Sequence, residues 1–101
     1  MSASLQYDEF TENLNTKFRI QFDDTNSIEA ELVEVSERKL APQQEQFSVV
    51  FRGPNGNALK QGTHRFAHDR MGEFEVFIVP IHQDAEGIYY EAIYNRFLKD
   101  E

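Results

Sequence analysis

Residues 17–35 read KFRIQFDDTNSIEAELVEV, and their reading decides the fold. Phe18, Ile20 and Phe22 alternate with Lys17, Arg19 and Gln21, the period of two that a half-buried strand requires. DDTNS (23–27) is a cluster of turn formers. Ile28, Ala30 and Leu32 then alternate with Glu29 and Glu31, so the chain returns as a second strand. At Val33 and Val35 the apolar residues change parity, and a bulge near Leu32-Val33 accounts for the slip.

The same grammar continues toward the C-terminus. FSVVFR (47–52) is a strand with Phe47, Val49 and Phe51 on one face, and GPNGN (53–57) is a turn. Strands follow at about 62–68, at FEVFIVPI (74–81) and at YYEAIYN (89–95), separated by DRMG (69–72) and QDAEG (83–87). SERKLAPQQEQ (36–46) reads as a polar loop. Upstream, Tyr7, Phe10 and Leu14 fall on one helical stripe, which predicts a helix at about 4–13. Ser4 is its candidate cap, with Asp8 and Glu9 near the positive end of the dipole. The expected architecture is mainly β (α+β). About six antiparallel strands over about 17–96 form a curled meander or small barrel, with the N-terminal helix packed on it. All 101 residues are expected to form a single domain.

Composition bounds the function. There is no Cys, so disulfide, thiolate-zinc and iron–sulfur chemistry are excluded. Eighteen Asp+Glu against 10 Lys+Arg give a formal charge of −8, concentrated in the first half. Such a chain lacks the cations that drive nucleic-acid binding. No apolar run reaches the ~18 residues of a membrane span, and the N-terminus lacks a basic, apolar leader, so the expectation is a cytoplasmic protein.

Candidate chemistry is sparse. On a strand, His64 and His68 stand ~13 Å apart, too far to share a metal, and His82 is expected at a loop position after the strand at 74–81. A calcium loop starting at Asp23 would put Glu34 at its twelfth position but Ile28 where Gly is needed. GPNGNALKQG (53–62) lacks the Gly-Lys-[Ser/Thr] run of a phosphate loop, and no Ser sits in a nucleophile elbow. No metal and no cofactor is expected. Glu91, inside YYEAIYN, is the oddest polar residue; with Arg52, Asn95 and Arg96 it forms a candidate structural network, Glu91 pairing with Arg52 or Arg96. The strands at 74–81 and 89–95 are apolar on both parities, so both faces should be covered. The helix is expected over the outer face, leaving Tyr89, Ile93 and Phe97 as a candidate surface for a second copy or a protein partner.

FSVVFRGP (47–54), LKQGTHRFAH (59–68), MGEFEVFIVPI (71–81) and YYEAIYNR (89–96) resemble a family of small bacterial domains of unknown function, with Met71 where Leu is usual and Tyr94 where Phe is usual. The resemblance implies a non-enzymatic accessory, sometimes associated with phage-tail-collar-like proteins, and carries no catalytic residue. The expected function is therefore an interaction or assembly module, for a larger phage-tail-like or surface structural protein. The alternatives are a small-ligand-binding barrel, or a small enzyme using Glu91 with a His.

Overall fold

The computed structural model describes residues 3–56 and 58–97, with side chains for 7–56 and 58–95. Helix α1 (Ala3–Glu12) precedes seven strands: β1 (Lys17–Gln21), β2 (Ser27–Val35), β3 (Lys39–Ala41), β4 (Gln44–Gly53), β5 (Gly62–His68), β6 (Gly72–Asp84) and β7 (Gly87–Phe97). They pair antiparallel in the order β2-β1-β5-β6-β7-β4-β3, and a further pairing of β2 with β4 closes the sheet into a six-stranded barrel, with β3 as an appended strand. Closure disposes of the sheet edges that a curled meander would leave open.

Alternation puts one parity of each strand inside the barrel. Phe18, Ile20, Ala30, Leu32, Val49, Phe51, Phe66, Ile78 and Tyr90 are fully or almost fully buried. The interior is packed with rings: Phe51 meets Phe18 at 5.2 Å and Phe66 at 4.9 Å between centroids, both edge-on. That filling leaves the barrel a core rather than a container, as expected for so few strands.

One turn and one bulge fall where the sequence pattern predicts. Asp23 Oδ1 accepts from the backbone N–H of Thr25 (2.9 Å) and of Asn26 (2.8 Å), so DDTNS closes the β1–β2 hairpin as an Asx turn. Bonds from Asn26 and Thr25 hold the Asp23 carboxyl below the usual carboxylate range. The expected bulge is present: Leu32 pairs with Phe51 and Glu34 with Val50, skipping Val33.

The segment 36–46 is not a loop. Past the bulge, Val35 pairs with Val49 and Ser36 N donates to Ser48 O (2.8 Å). After a second one-residue slip, Lys39 pairs with Gln46 and Ala41 with Gln44. β2 and β3 are thus one long arm beside β4, turning at Pro42-Gln43, where Gln43 has φ 65°. Two slips and a run of Gln and Glu erase the period of two, which hid the hairpin from sequence.

Helix α1 sits elsewhere than expected. It plugs a mouth of the barrel: Phe10 is fully buried and its ring lies 6.4 Å from Phe51, 6.0 Å from Phe74 and 5.6 Å from Tyr94. Tyr7 meets Phe47 edge-on at 5.1 Å. The helix therefore fills the interior end rather than covering the outer face of β6 and β7. Ser4 falls within its first turn and does not cap it. At the C-terminal end, Asn13 Nδ2 donates to Glu9 O (2.8 Å), and Asn15 takes the left-handed conformation (φ 70°) that often ends a helix. The opposite mouth is closed by the β4–β5 loop, whose buried Leu59 donates its N–H to Tyr90 Oη (2.9 Å).

Candidate functional site

The outer wall divides into two electrostatic regions. Around β1 and the first half of β2 several charges are paired: Arg52 lies 2.9 Å from Glu31 and 3.4 Å from Glu86, Arg19 3.6 Å from Asp69, and Lys17 3.9 Å from Glu29. Register explains the closest of these, since Glu31 and Arg52 are directly opposed in the β2–β4 ladder.

Along β3, β4 and β7 the arrangement differs. The double slip of the β2–β3 arm bends it over the outward residues of β4 and leaves an open trough of about 360 Å³. Gln46 and Ser48 form its floor, Ser36, Glu37 and Lys39 one bank, and Glu91 and Ile93 the other. Ile93 is 65% exposed, the most exposed large apolar side chain among the described residues of β7. Val50 also has outward parity, yet it is nearly buried between its cross-strand neighbours Glu34 and Glu91. Glu34, Glu37, Glu91 and Lys39 make no ion pair among the described residues.

Of the anticipated network of Arg52, Glu91, Asn95 and Arg96, the Arg52–Glu91 pair does not form, and the Glu91–Arg96 alternative lies outside the described residues. Arg52 is taken by Glu31 and Glu86, because closure of the barrel brings β2 beside β4. Glu91 instead has Val50 and Val79 as its cross-strand partners. Asn95 accepts from Gln44 Nε2 at 2.8 Å. Arg96 stands opposite Glu45 in the β4–β7 ladder, and its side chain lies outside the described residues, as does that of Phe97.

The anticipated apolar surface is present in part. Ile93 is exposed, and so are Phe77 (53%) and Ile81 (50%) on β6; no helix covers them. Tyr89 is half-buried and engaged: its hydroxyl donates to Asp84 (3.1 Å) and its ring lies 5.4 Å from His82. The N–H of Glu86, then the Tyr89 hydroxyl, hold the Asp84 carboxyl below its ordinary range, while burial and the Asp84 charge push the Tyr89 phenol up.

His64 and His68 are engaged by backbone and hydroxyl groups rather than by one another, and His82 lies within β6 rather than in a loop, its Nε2 3.7 Å from Asp84. His64 lies between Gln21 O (3.2 Å) and Lys60 O (2.9 Å). His68 is buried under the helix junction, its Nε2 2.9 Å from Thr16 Oγ1. Among the described residues no three His, Asp or Glu side chains converge as a metal centre would need, and no helix is long and apolar enough to cross a membrane.

Reasoning from sequence missed Ser36, Glu37, Lys39, Gln46 and Ser48 because it placed four of them in a loop. Pro42 ahead of two Gln, a turn signal between two short runs ending in Lys39-Leu40 and Phe47, was the trace available.

A model of the family DUF6916, a domain of unknown function, matches residues 5–94. The chain belongs to that family. No curated protein and no solved structure matches it.

Proposed function

We propose that this domain is a non-enzymatic interaction module that docks a protein partner in the trough between the β2–β3 arm and β7. The observation that carries the reading is the contrast in charge. Glu29, Glu31, Asp69 and Glu86 have basic partners within 4 Å, whereas Glu34, Glu37 and Glu91 beside the exposed Ile93 have none among the described residues. A partner that brings an apolar side chain flanked by Lys or Arg would desolvate Ile93 and neutralise this rim. A second copy of the chain is a poorer fit, since it adds −8 of the same sign. The partner class suggested by the family resemblance is a larger phage-tail-like or surface structural protein. The packed interior gives no support to a ligand-binding barrel, and Glu91 has Val50 and Val79, not a His, across from it.

The test is affinity capture from the host with the wild type, Ile93→Asp, Glu91→Lys and the control Arg19→Glu on the paired wall. The expected result is a defined partner retained by the wild type and Arg19→Glu, weakened by salt and lost by the two trough variants. Equal retention by all four overturns the trough as the docking surface.

A further inference from the structure

The three buried polar or charged side chains among the described residues, Asn13, Glu45 and His68, all border α1. Asn13 ends the helix. Glu45, 1% exposed, reaches it through Arg38, whose Nη1 is 3.4 Å from Glu45 Oε2 and whose guanidinium lies 5.0 Å over the Tyr7 ring. His68, 7% exposed, holds the other end. Asn13 Oδ1 and Glu45 Oε1, both at the seat of the helix, are the buried side-chain polar atoms without a hydrogen-bond partner among the described residues.

His68 is fixed in one protonation state by its partners. Its Nδ1 accepts from the backbone N–H of Arg70 (3.0 Å) and of Met71 (3.2 Å), so the ring proton resides on Nε2. Nε2 donates to Thr16 Oγ1 (2.9 Å), which donates to Asn13 O (2.6 Å). One chain of bonds thus joins the β5–β6 turn, the start of β1 and the end of α1. Against the other side of the ring lies Phe18, 4.2 Å between centroids.

We propose that α1 is a displaceable plug latched by His68, and that a proton gained by this ring frees the helix from the barrel mouth while the six-stranded wall stays folded. A proton on Nδ1 would face two N–H donors, so both bonds from the turn break. The ring then swings, and Thr16 loses its donor. Asn15, already in the left-handed conformation between helix and β1, is the joint. Release uncovers Phe47, Phe74 and Tyr94, the rings against which Phe10 packs.

The charged groups acting on the ring are Asp69 and Arg70, which flank the turn, and Arg19 of β1; Thr16, Asn13 and Phe18 do not titrate. Burial dominates and pushes the imidazole below its ordinary value, with Asp69 opposing and Arg70 and Arg19 assisting. With the closed-state value depressed, the latch is intact above the ordinary histidine pKa of about 6.5 and weakens as pH falls below it. A single proton allows at most about a tenfold change in opening per pH unit.

Hydrogen exchange of the full chain at pH 7.5 and 5.5, corrected for intrinsic rates, tests this. The amides of residues 7–12 should exchange up to about tenfold faster at the lower pH, with β4 and β7 unchanged. His68→Asn keeps an acceptor near the Nδ1 position and cannot titrate, so its helix should respond to neither pH; His64→Asn should respond as the wild type does. If His68→Asn does not fold, the His68 ring resonances of the wild type must titrate in step with helix exchange. The proposal is overturned if α1 and β4 exchange together at both pH values, if the acid response survives in His68→Asn, or if ring and helix titrate apart.

Discussion

At one mouth of the barrel, Leu59 enters from the β4–β5 loop and its N–H is satisfied by Tyr90 Oη at 2.9 Å. Nearby, Asn55 donates to Asp84 O (3.0 Å) and accepts from Gln83 Nε2 (2.7 Å), so the loop is tied to the β6–β7 hairpin through both ends of one amide. At the other mouth, α1 brings Phe10 into a ring of aromatic side chains, but its seat includes Asn13 and Glu45, each with one oxygen unpartnered among the described residues. Both plugs are apolar at the tip. They differ in their polar surroundings: the loop end is tied by bonds from groups that do not titrate near neutral pH, whereas the helix end is held through the His68 ring.

The largest effect should come from Phe10→Ala at neutral pH, where the helix is latched. Removing a fully buried ring surrounded by Phe18, Phe47, Phe51, Phe74 and Tyr94 is expected to cost about 3–5 kcal/mol, read from urea unfolding. A loss under about 1 kcal/mol would break the comparison, because the helix end would then lie outside the cooperative core.

Tyr90→Phe probes the loop end. The ring volume stays, but the N–H of Leu59 is left without its acceptor in a buried setting. A buried unpaired donor costs about 1–3 kcal/mol, so the midpoint should fall by less than for Phe10→Ala. Faster exchange of the Leu59 amide in this variant would locate the change; unchanged exchange and unchanged stability would mean that the loop end does not depend on this bond.

The same contrast explains what was legible in the sequence. Phe18, Ile20, Ala30 and Leu32 announce their strands because their neighbours Arg19, Glu29 and Glu31 face water, so burial writes a period of two. The bulge at Val33 showed as a change of parity. The arm at 36–46 left no such trace, since a second slip falls within a run of polar residues. Phe77 and Ile81 suggested a covered outer face by their hydrophobicity, yet they remain half in solvent; an exposed apolar residue is not forbidden, only a large bare patch is rare. The candidate trough was legible only through Glu91 and Ile93. Its other bank comes from the hidden arm, and the pairing of Arg52 with Glu31 depends on closure between β2 and β4, which local pattern does not encode.

Glu45→Gln should have the smallest effect and tests the difference between the mouths most sharply. Glu45 is a buried carboxylate whose charged contact among the described residues, to Arg38, is long at 3.4 Å, and whose Oε1 has no partner among them. Burying a charge costs several kcal/mol, and a poorly aligned pair recovers that cost only in part. Glutamine has the same shape, carries no charge, and still offers a carbonyl oxygen to Arg38. The desolvation relieved should therefore nearly match the attraction lost, leaving stability within about 1 kcal/mol of the wild type. Leu at the same position would remove the acceptor that Arg38 faces beside the Tyr7 ring, so it should be less stable than Gln. Thermal and urea unfolding of both variants at neutral pH check this. If Glu45→Gln instead costs about 3 kcal/mol or more, as breaking a well-made buried pair does, the helix seat is held as firmly as the loop end, and the asymmetry between the two mouths disappears.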